Sequence, residues 1–459
     1  MIQKPLDLLK LIPPKYLKVT SNLTLNLLDF ISISKIIRKK EKRILNNVKK
    51  LHRVLVVADY NIGDSLLILP AVGTLKYYLK DVEIDYIFNE GVESLIGKIP
   101  FISNIFPIFS SSVDFSYKNL NRLISVIKNK GYDVIFNFCP FFNENHFKNI
   151  EIPILYPWRL IFEILESYHR GDRTHISYRI VEYIKDIIYL LRNSIKINDL
   201  KDYKPEMKLY IDEDTICKSR EFLRANGLDL SRNIIFIHPD SSSKYTFING
   251  DFYKKLIYRL SCNDKVGGII LGPTYNFRNI NRRICHYLKT KYRNKVIYFP
   301  EDASIEFFAA LVDCCSVYIG LDTGPIHIVA AKKFGYNKKT PLNNRTAIVG
   351  LYKASDSRIY GYDSFSNLHI DSYQNAPARV FEAKPRCKSI SCTLQKIIRT
   401  CKYNYCDRLL DADKVYIYIK NILDKYDKNV LYQGNSELFR QILHKHIVLD
   451  EGCISNIEK

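Results

Sequence analysis

The chain has 459 residues, 47% of them apolar and 25% charged, and its 69 Lys and Arg against 48 Asp and Glu give a formal charge of +21. Those fractions are ordinary for a folded globular protein, and they exclude a disordered chain, which lacks the apolar surface to offset its ordering entropy. No apolar run approaches the roughly 20 residues that cross a bilayer, and the start MIQKPLDLLKLIPPKYLKV has neither the apolar core nor the small-residue cleavage site of a signal peptide.

Residues 1–50 carry 12 Lys and Arg against three acids, Asp7, Asp29 and Glu41. The densest run is KIIRKKEKRILNNVKK, 35–50. On a helix, Ile36, Ile37, Ile44, Leu45 and Val48 fall near one face with the bases flanking it. That pattern suits an anionic membrane surface and equally a solvated helix packed on the next domain. No nucleic-acid-binding motif accompanies the charge, so nucleic acid is not an expected partner. Residues 1–52 are therefore read as a basic helical extension.

From Arg53 the pattern changes. RVLVVAD (53–59) is a continuous apolar run of the kind found in strands buried on both faces. A helix is expected over 64–79, then strands at 83–88 and 104–109, a helix over 117–130 ending at Gly131, and a strand at 132–138. Strands alternating with helices imply a parallel sheet with right-handed crossovers. Residues 151–205 read as helical and irregular, without clear strands. The rhythm restarts with NIIFIHPD (233–240), followed by strands at 266–272, 296–300, 317–322 and 346–352 with helices between, and a late helix over 411–426. The fold class is α/β, with two doubly wound Rossmann-like domains, 53–210 and 211–430, and a tail over 431–459.

In open parallel sheets, ligands bind outside the carboxyl ends of the strands, so the residues that follow each strand are the candidates for chemistry. After the first strand come Asn61-Ile62-Gly63-Asp64. Gly63 lets a ligand approach the backbone closely. Asp64 either caps a helix or acts as a general base that takes a proton from an attacking hydroxyl. After the 317–322 strand come Asp322, Thr323, Gly324, Pro325 and His327. Pro325 suits a first helical turn, and the free N–H groups of Thr323 and Gly324, with His327 one turn on, suit a phosphate. After the 233–240 strand, Ser241, Ser242, Ser243 and Lys244 put three hydroxyls and an ammonium in one loop, able to hold a diphosphate.

Together these segments resemble glycosyltransferase family 9, the ADP-heptose:lipopolysaccharide heptosyltransferases. VLVVADYNIGDSLLILPAVGTLKYYLKDVEIDYIFNEG is similar to the family's opening strand, GD turn, LPA helix and second strand. HPDSSSK resembles its HPG-type loop, IEFFAALVDCCSVYIGLDTGPIHIVAA its DSG..H segment, and RTHISYRIVEYIKDII (173–188) its His- and Arg-bearing helix. The resemblance implies a GT-B fold, in which the two domains face a cleft. It implies inverting transfer of heptose or a related sugar from an ADP-sugar to a glycan or lipid-linked acceptor, at the cytoplasmic face of the bacterial inner membrane. By the same resemblance Asp64 would deprotonate the acceptor and Asp322 would contact the sugar. The 241–244 loop with Thr323, Gly324 and His327 would hold the leaving diphosphate, with no catalytic metal. Other readings are a protein-modifying or other-donor GT-B enzyme, and a catalytically degenerate basic membrane-binding protein. Lys244 stands one place out of the family register, Phe247 where the family carries Trp, and Asp240 where it carries Gly.

The chain has 11 Cys, an odd number that, with their scatter, points to a reducing compartment. Cys387, Cys392, Cys401 and Cys406 fall within twenty residues. Four thiolates at that spacing fit a structural zinc or iron, free thiols, or disulfides. Cys314 and Cys315, in an apolar helix, read as core.

Overall fold

The computed structural model describes residues 27–48, 51–58, 61–109, 117–139, 142, 146–147, 149–156, 158–170, 174–191, 203, 205–241, 248–272, 280–292, 295–342, 345–353, 357–362, 377–383 and 410–425. Ser242, Ser243, Lys244, the four clustered cysteines at 387–406, the 431–459 tail and the first 26 residues lie outside that set.

The first sheet has five parallel strands: β1 (Arg53–Val57), β2 (Glu83–Asn89), β3 (Asn104–Phe109), β4 (Val134–Asn137) and β5 (Ile154–Leu155), in spatial order β3-β2-β1-β4-β5. The chain then forms β6 (Lys208–Ile211), β7 (Asn233–His238), β8 (Val266–Leu271), β9 (Val296–Tyr298), β10 (Val317–Leu321), β11 (Lys332–Gly335), β12 (Ala347–Tyr352) and β13 (Ala378–Glu382). Six of these make a second sheet ordered β13-β12-β10-β7-β8-β9, all parallel. Renumbered within its own half, that order is the doubly wound one, as it is in the first sheet. In each sheet the strand order reverses beside the first strand, between β1 and β4 and between β7 and β10. Those two switch points are where such sheets bind ligands.

The central strands are apolar because both faces are covered. Val54, Leu55, Val56 and Val57 are fully buried, with Val54 and Val56 packing on one face and Leu55 and Val57 on the other. The helix over Tyr117–Lys130 ends on Gly131, whose φ of +64° is the left-handed conformation that closes a helix without a Cβ clash.

Three features depart from the sequence expectation. The helix expected over 64–79 is two, Ile62–Leu67 and Leu69–Tyr78, joined at Ile68; Pro70 lacks the N–H an uninterrupted helix needs and sits instead in the first turn of the second. The 151–205 stretch contains β5, whose two residues are too few to show a period. β6 and β11 pair with each other as a separate two-stranded sheet; their Lys208, Lys332 and Lys333 break the apolar run that marked the other strands.

The basic extension forms a helix over Leu27–Leu45 that lies against the Trp158–Arg170 helix. Ile33, Ile37 and Leu45 of this helix and Val48 after it are buried, whereas Ile36, expected on the same face, turns outward. A charged cluster completes the seam. Arg159 Nε meets Glu41 Oε2 at 2.6 Å, its Nη1 reaches Asp186 at 2.7 Å, and the Tyr183 hydroxyl donates to Glu41 at 2.9 Å. Burial lifts the Glu41 carboxyl to about 7 against the pull of Arg159. Among the described residues no helix is long and apolar enough to cross a membrane.

Candidate active site between the two sheets

The NIGD turn leaves β1 at its carboxyl end and starts the Ile62–Leu67 helix. Asn61, not Asp64, is the N-cap. Asp64 is the third helical residue, and the Asn61 Nδ2 donates to its Oδ2 at 2.7 Å. The carboxylate is thus held at the helix mouth, partly exposed. The turn is anchored to the sheet behind it. The Tyr86 hydroxyl of β2 donates to the Ser65 carbonyl at 2.7 Å, and Ser65 Oγ accepts from Asn89 N–H at 3.3 Å.

The second half supplies the facing element. Asp322 and Thr323 follow β10 and lead into the Gly324–Ala330 helix, with Thr323 as N-cap in extended conformation and Pro325 in the first turn. β10 pairs with β7, Gly320 opposite His238, so Asp322 and Ser241 leave the same end of neighbouring strands. Asp322 is 2% exposed; burial, with its charge added, drives the Tyr352 hydroxyl well above the ordinary tyrosine range. Asp240 accepts the Ser241 N–H at 2.7 Å. His238 is buried, which lowers it to about 4, and its ring packs so closely on Gly272 that a Cβ there would lie 2.8 Å from His238 Cδ2.

The two turns meet. A Cβ on Gly63 would sit 2.8 Å from Cδ2 and 3.3 Å from Nε2 of His327, and 3.3 Å from the Gly324 Cα. Only a glycine lets the backbone of one half approach the other this closely. Burial holds His327 near 4 and therefore neutral at pH 7, while the charge of Asp64 pulls in the opposite direction. Of the residues singled out from sequence, Gly63, Asp64, Gly324 and His327 converge here, and Asp322, Thr323 and Ser241 lie at the adjoining strand ends.

Of three further neighbours, Tyr362 escaped the sequence reading, and His175 and Asn61 stood there only inside motifs, without a role. Tyr362 Oη is 2.8 Å from His327 Nδ1, and His175, at the start of the Ile176–Leu191 helix, packs at a tilt against Tyr362 with ring centroids 4.9 Å apart. Asn61 holds Asp64. The His-bearing helix was visible as a motif, but its distance in sequence gave no sign of where His175 would dock.

No family model matches the chain. It is 22% identical over 300 residues to a putative glycosyltransferase of Haemophilus influenzae, covering 61% of this chain and 80% of that protein. It is also 22% identical over 326 residues to lipopolysaccharide heptosyltransferase 3 of Escherichia coli, covering 69% and 88%. A crystal structure of a glycosyltransferase family 9 protein from Veillonella parvula superposes with a TM-score of 0.56 at 16% identity, covering 82% of this chain and 98% of that one. An E. coli heptosyltransferase solved with ADP gives 0.50 at 15% identity, covering 80% and 99%. The resemblance to glycosyltransferase family 9 holds. The fold is GT-B, and the chain is glycosyltransferase-like in sequence as well as in architecture. Among the described residues no group of three or more His, Cys, Asp and Glu side chains is arranged to hold a metal.

Proposed function

We propose that the protein is an inverting glycosyltransferase that moves heptose or a related sugar from an ADP-sugar to a lipopolysaccharide core or similar glycan. The observation that carries this reading is the meeting of the NIGD turn with the Gly324–His327 turn, which brings a partly exposed carboxylate beside a buried neutral imidazole at the sheets' ligand-binding ends. Asp64 takes the proton of the acceptor hydroxyl as its oxygen attacks the anomeric carbon from the face opposite the departing diphosphate. Asn61 orients that carboxylate. The backbone N–H groups of Thr323 and Gly324, the His327 imidazole and the loop from Ser241 to Lys244 bind the developing diphosphate charge, a role that fixed donors fill without a metal. Asp322 contacts the sugar hydroxyls. The relatives named for heptosyl transfer, and the one solved with ADP, support this choice of donor.

Asp64→Asn tests the reading, because it keeps the Asn61 contact and removes the base. Transfer from ADP-heptose should fall at least 100-fold while ADP binding stays within a factor of two or so. Unchanged turnover would remove Asp64 from the role, and a better donor among UDP- or GDP-sugars would redirect the substrate.

The apolar side of the extension is spent on docking, and it is its exposed basic side that supports work at the cytoplasmic face of a membrane. Lys35, Lys39, Lys42 and Arg43 are exposed on the outer side of the Leu27–Leu45 helix, with Ile36 55% exposed beside them. Bases next to an anionic leaflet contribute about 1 kcal/mol each. Changing these four to Gln should abolish sedimentation with phosphatidylglycerol vesicles; sedimentation equal to that of the unchanged protein would sink the membrane reading.

A further inference from the structure

His327 belongs to a buried row of rings, tilted and edge-on to one another, that crosses from one half of the molecule to the other. Tyr362 lies between two imidazoles, 4.9 Å from the ring of His175 and 5.7 Å from that of His327, and all three residues are 3% exposed or less. Each end is anchored. His175 Nδ1 accepts the Ser177 N–H at 3.3 Å, which ties that ring to the first turn of its helix in the first half. In the second half the Tyr352 hydroxyl donates to the Tyr360 carbonyl at 2.8 Å and pins the segment that carries Tyr362.

We propose that Tyr362 is a positioning residue, braced by His175 from the opposite half, whose hydroxyl donates to His327 Nδ1 and so makes Nε2–H a hydrogen-bond donor facing the NIGD turn and the leaving diphosphate. The identity of that ligand rests on the function proposed above; the tautomer does not.

The assignment follows from what lies on each side of the ring. A neutral imidazole carries one N–H, and the hydrogen bond at one nitrogen sets the state of the other. The Cδ2–Nε2 edge is the one against Gly63, the chain neighbour of Asp64, and the Asp64 charge acts on the ring. A carboxylate, or a phosphate oxygen in its place, accepts but does not donate. The proton therefore belongs on Nε2. Nδ1 is then the acceptor, and a tyrosine hydroxyl at 2.8 Å is the donor it needs. A phenylalanine would fill the same space and leave Nδ1 without that partner. Because the brace on Tyr362 comes from the first half, the donor depends on the contact between the two halves.

The test uses the full-length protein labelled with ¹⁵N-histidine. Long-range ¹H–¹⁵N spectra, with the His327 signals assigned by their loss in His327→Gln, should show a neutral Nε2–H tautomer in the unchanged protein. Tyr362→Phe should convert this to a mixture of tautomers and weaken ADP binding roughly 3- to 10-fold, the scale of one hydrogen bond. His175→Ala should produce the same mixture without touching His327. An Nδ1–H tautomer in the unchanged protein overturns the proposal, as does a tautomer unaltered in Tyr362→Phe. Should that variant fail to fold, the spectrum of the unchanged protein still decides. ADP failing to bind a protein with the expected tautomer would count against the donor reading and leave the tautomer assignment standing.

Discussion

Gly63→Ala is the substitution that bears most directly on the meeting of the two turns. The added methyl would lie 2.8 Å from His327 Cδ2, and ordinary contact begins near 3.4 Å, so the ring or the turn must give by about 0.6 Å. The ring has little room to move, being 1% exposed and held by Tyr362 at 2.8 Å. Yielding on the other side meets the Gly324 backbone at 3.3 Å. Overpacking of this kind costs about 1–3 kcal/mol, or a drop of roughly 2–10 °C in melting temperature for halves of this size. Its kinetic effect is larger in proportion. A misplacement near 1 Å can cost about 100-fold, so a shift of roughly half that should reduce kcat by about 10- to 100-fold. The assay pairs thermal melts with steady-state transfer from the sugar nucleotide proposed above as donor. A variant with normal kcat and normal melting would refute the close approach of the two turns, and with it the site.

Three further outcomes follow from buried charge. Burial holds His175 near 3 and His327 near 4, below the unfolded value of about 6.5, so between those limits the unfolded chain binds more protons and stability falls as pH drops below 6.5. Each histidine contributes on the order of 3 kcal/mol to that loss, and urea midpoints at pH 7 and pH 4.5 should lie closer together in His175→Phe than in the unchanged protein; an equal gap would contradict the burial. Arg159→Met leaves Glu41 in the seam without its cation, a defect worth about 3–5 kcal/mol, and should expose the Leu27–Leu45 helix to limited proteolysis, whereas pairing it with Glu41→Gln should restore most of the protection. Lys98 reaches from the first half to Asp212 at 2.7 Å and to Glu306 in the second; Lys98→Met strands the largely buried Glu306 and should lower the melting temperature by several degrees, so an unaltered melt would show that this ion cluster does not couple the halves.

The opening strands of both sheets were legible because a strand covered on both faces must be apolar throughout, as Val54–Val57 and Ile234–Ile237 are. The strand-end motifs followed, since Gly63, Asp64 and the Asp322–His327 segment sit where a parallel sheet presents its ligands. Short or charged strands such as Ile154–Leu155 and Lys332–Gly335 gave no comparable signal, because pairing geometry rather than side-chain period makes them strands. Taken alone, Asp64 read more readily as a helix cap than as a base. Only the position of Asn61 one turn earlier settled that the capping place was taken.

From its residues alone, then, the chain determined two parallel sheets, the strand ends that carry its candidate residues, and a basic helix ahead of the first strand. Local apolar patterning and turn chemistry are written in consecutive residues, so they can be read there. The tertiary structure alone decided that His175, Tyr362 and His327 share one cluster of rings, that Gly63 faces His327, and that Arg159 receives Glu41. Those partners are tens to hundreds of residues apart, and their meeting depends on the strand order and on how closely the two halves approach, neither of which any local pattern encodes.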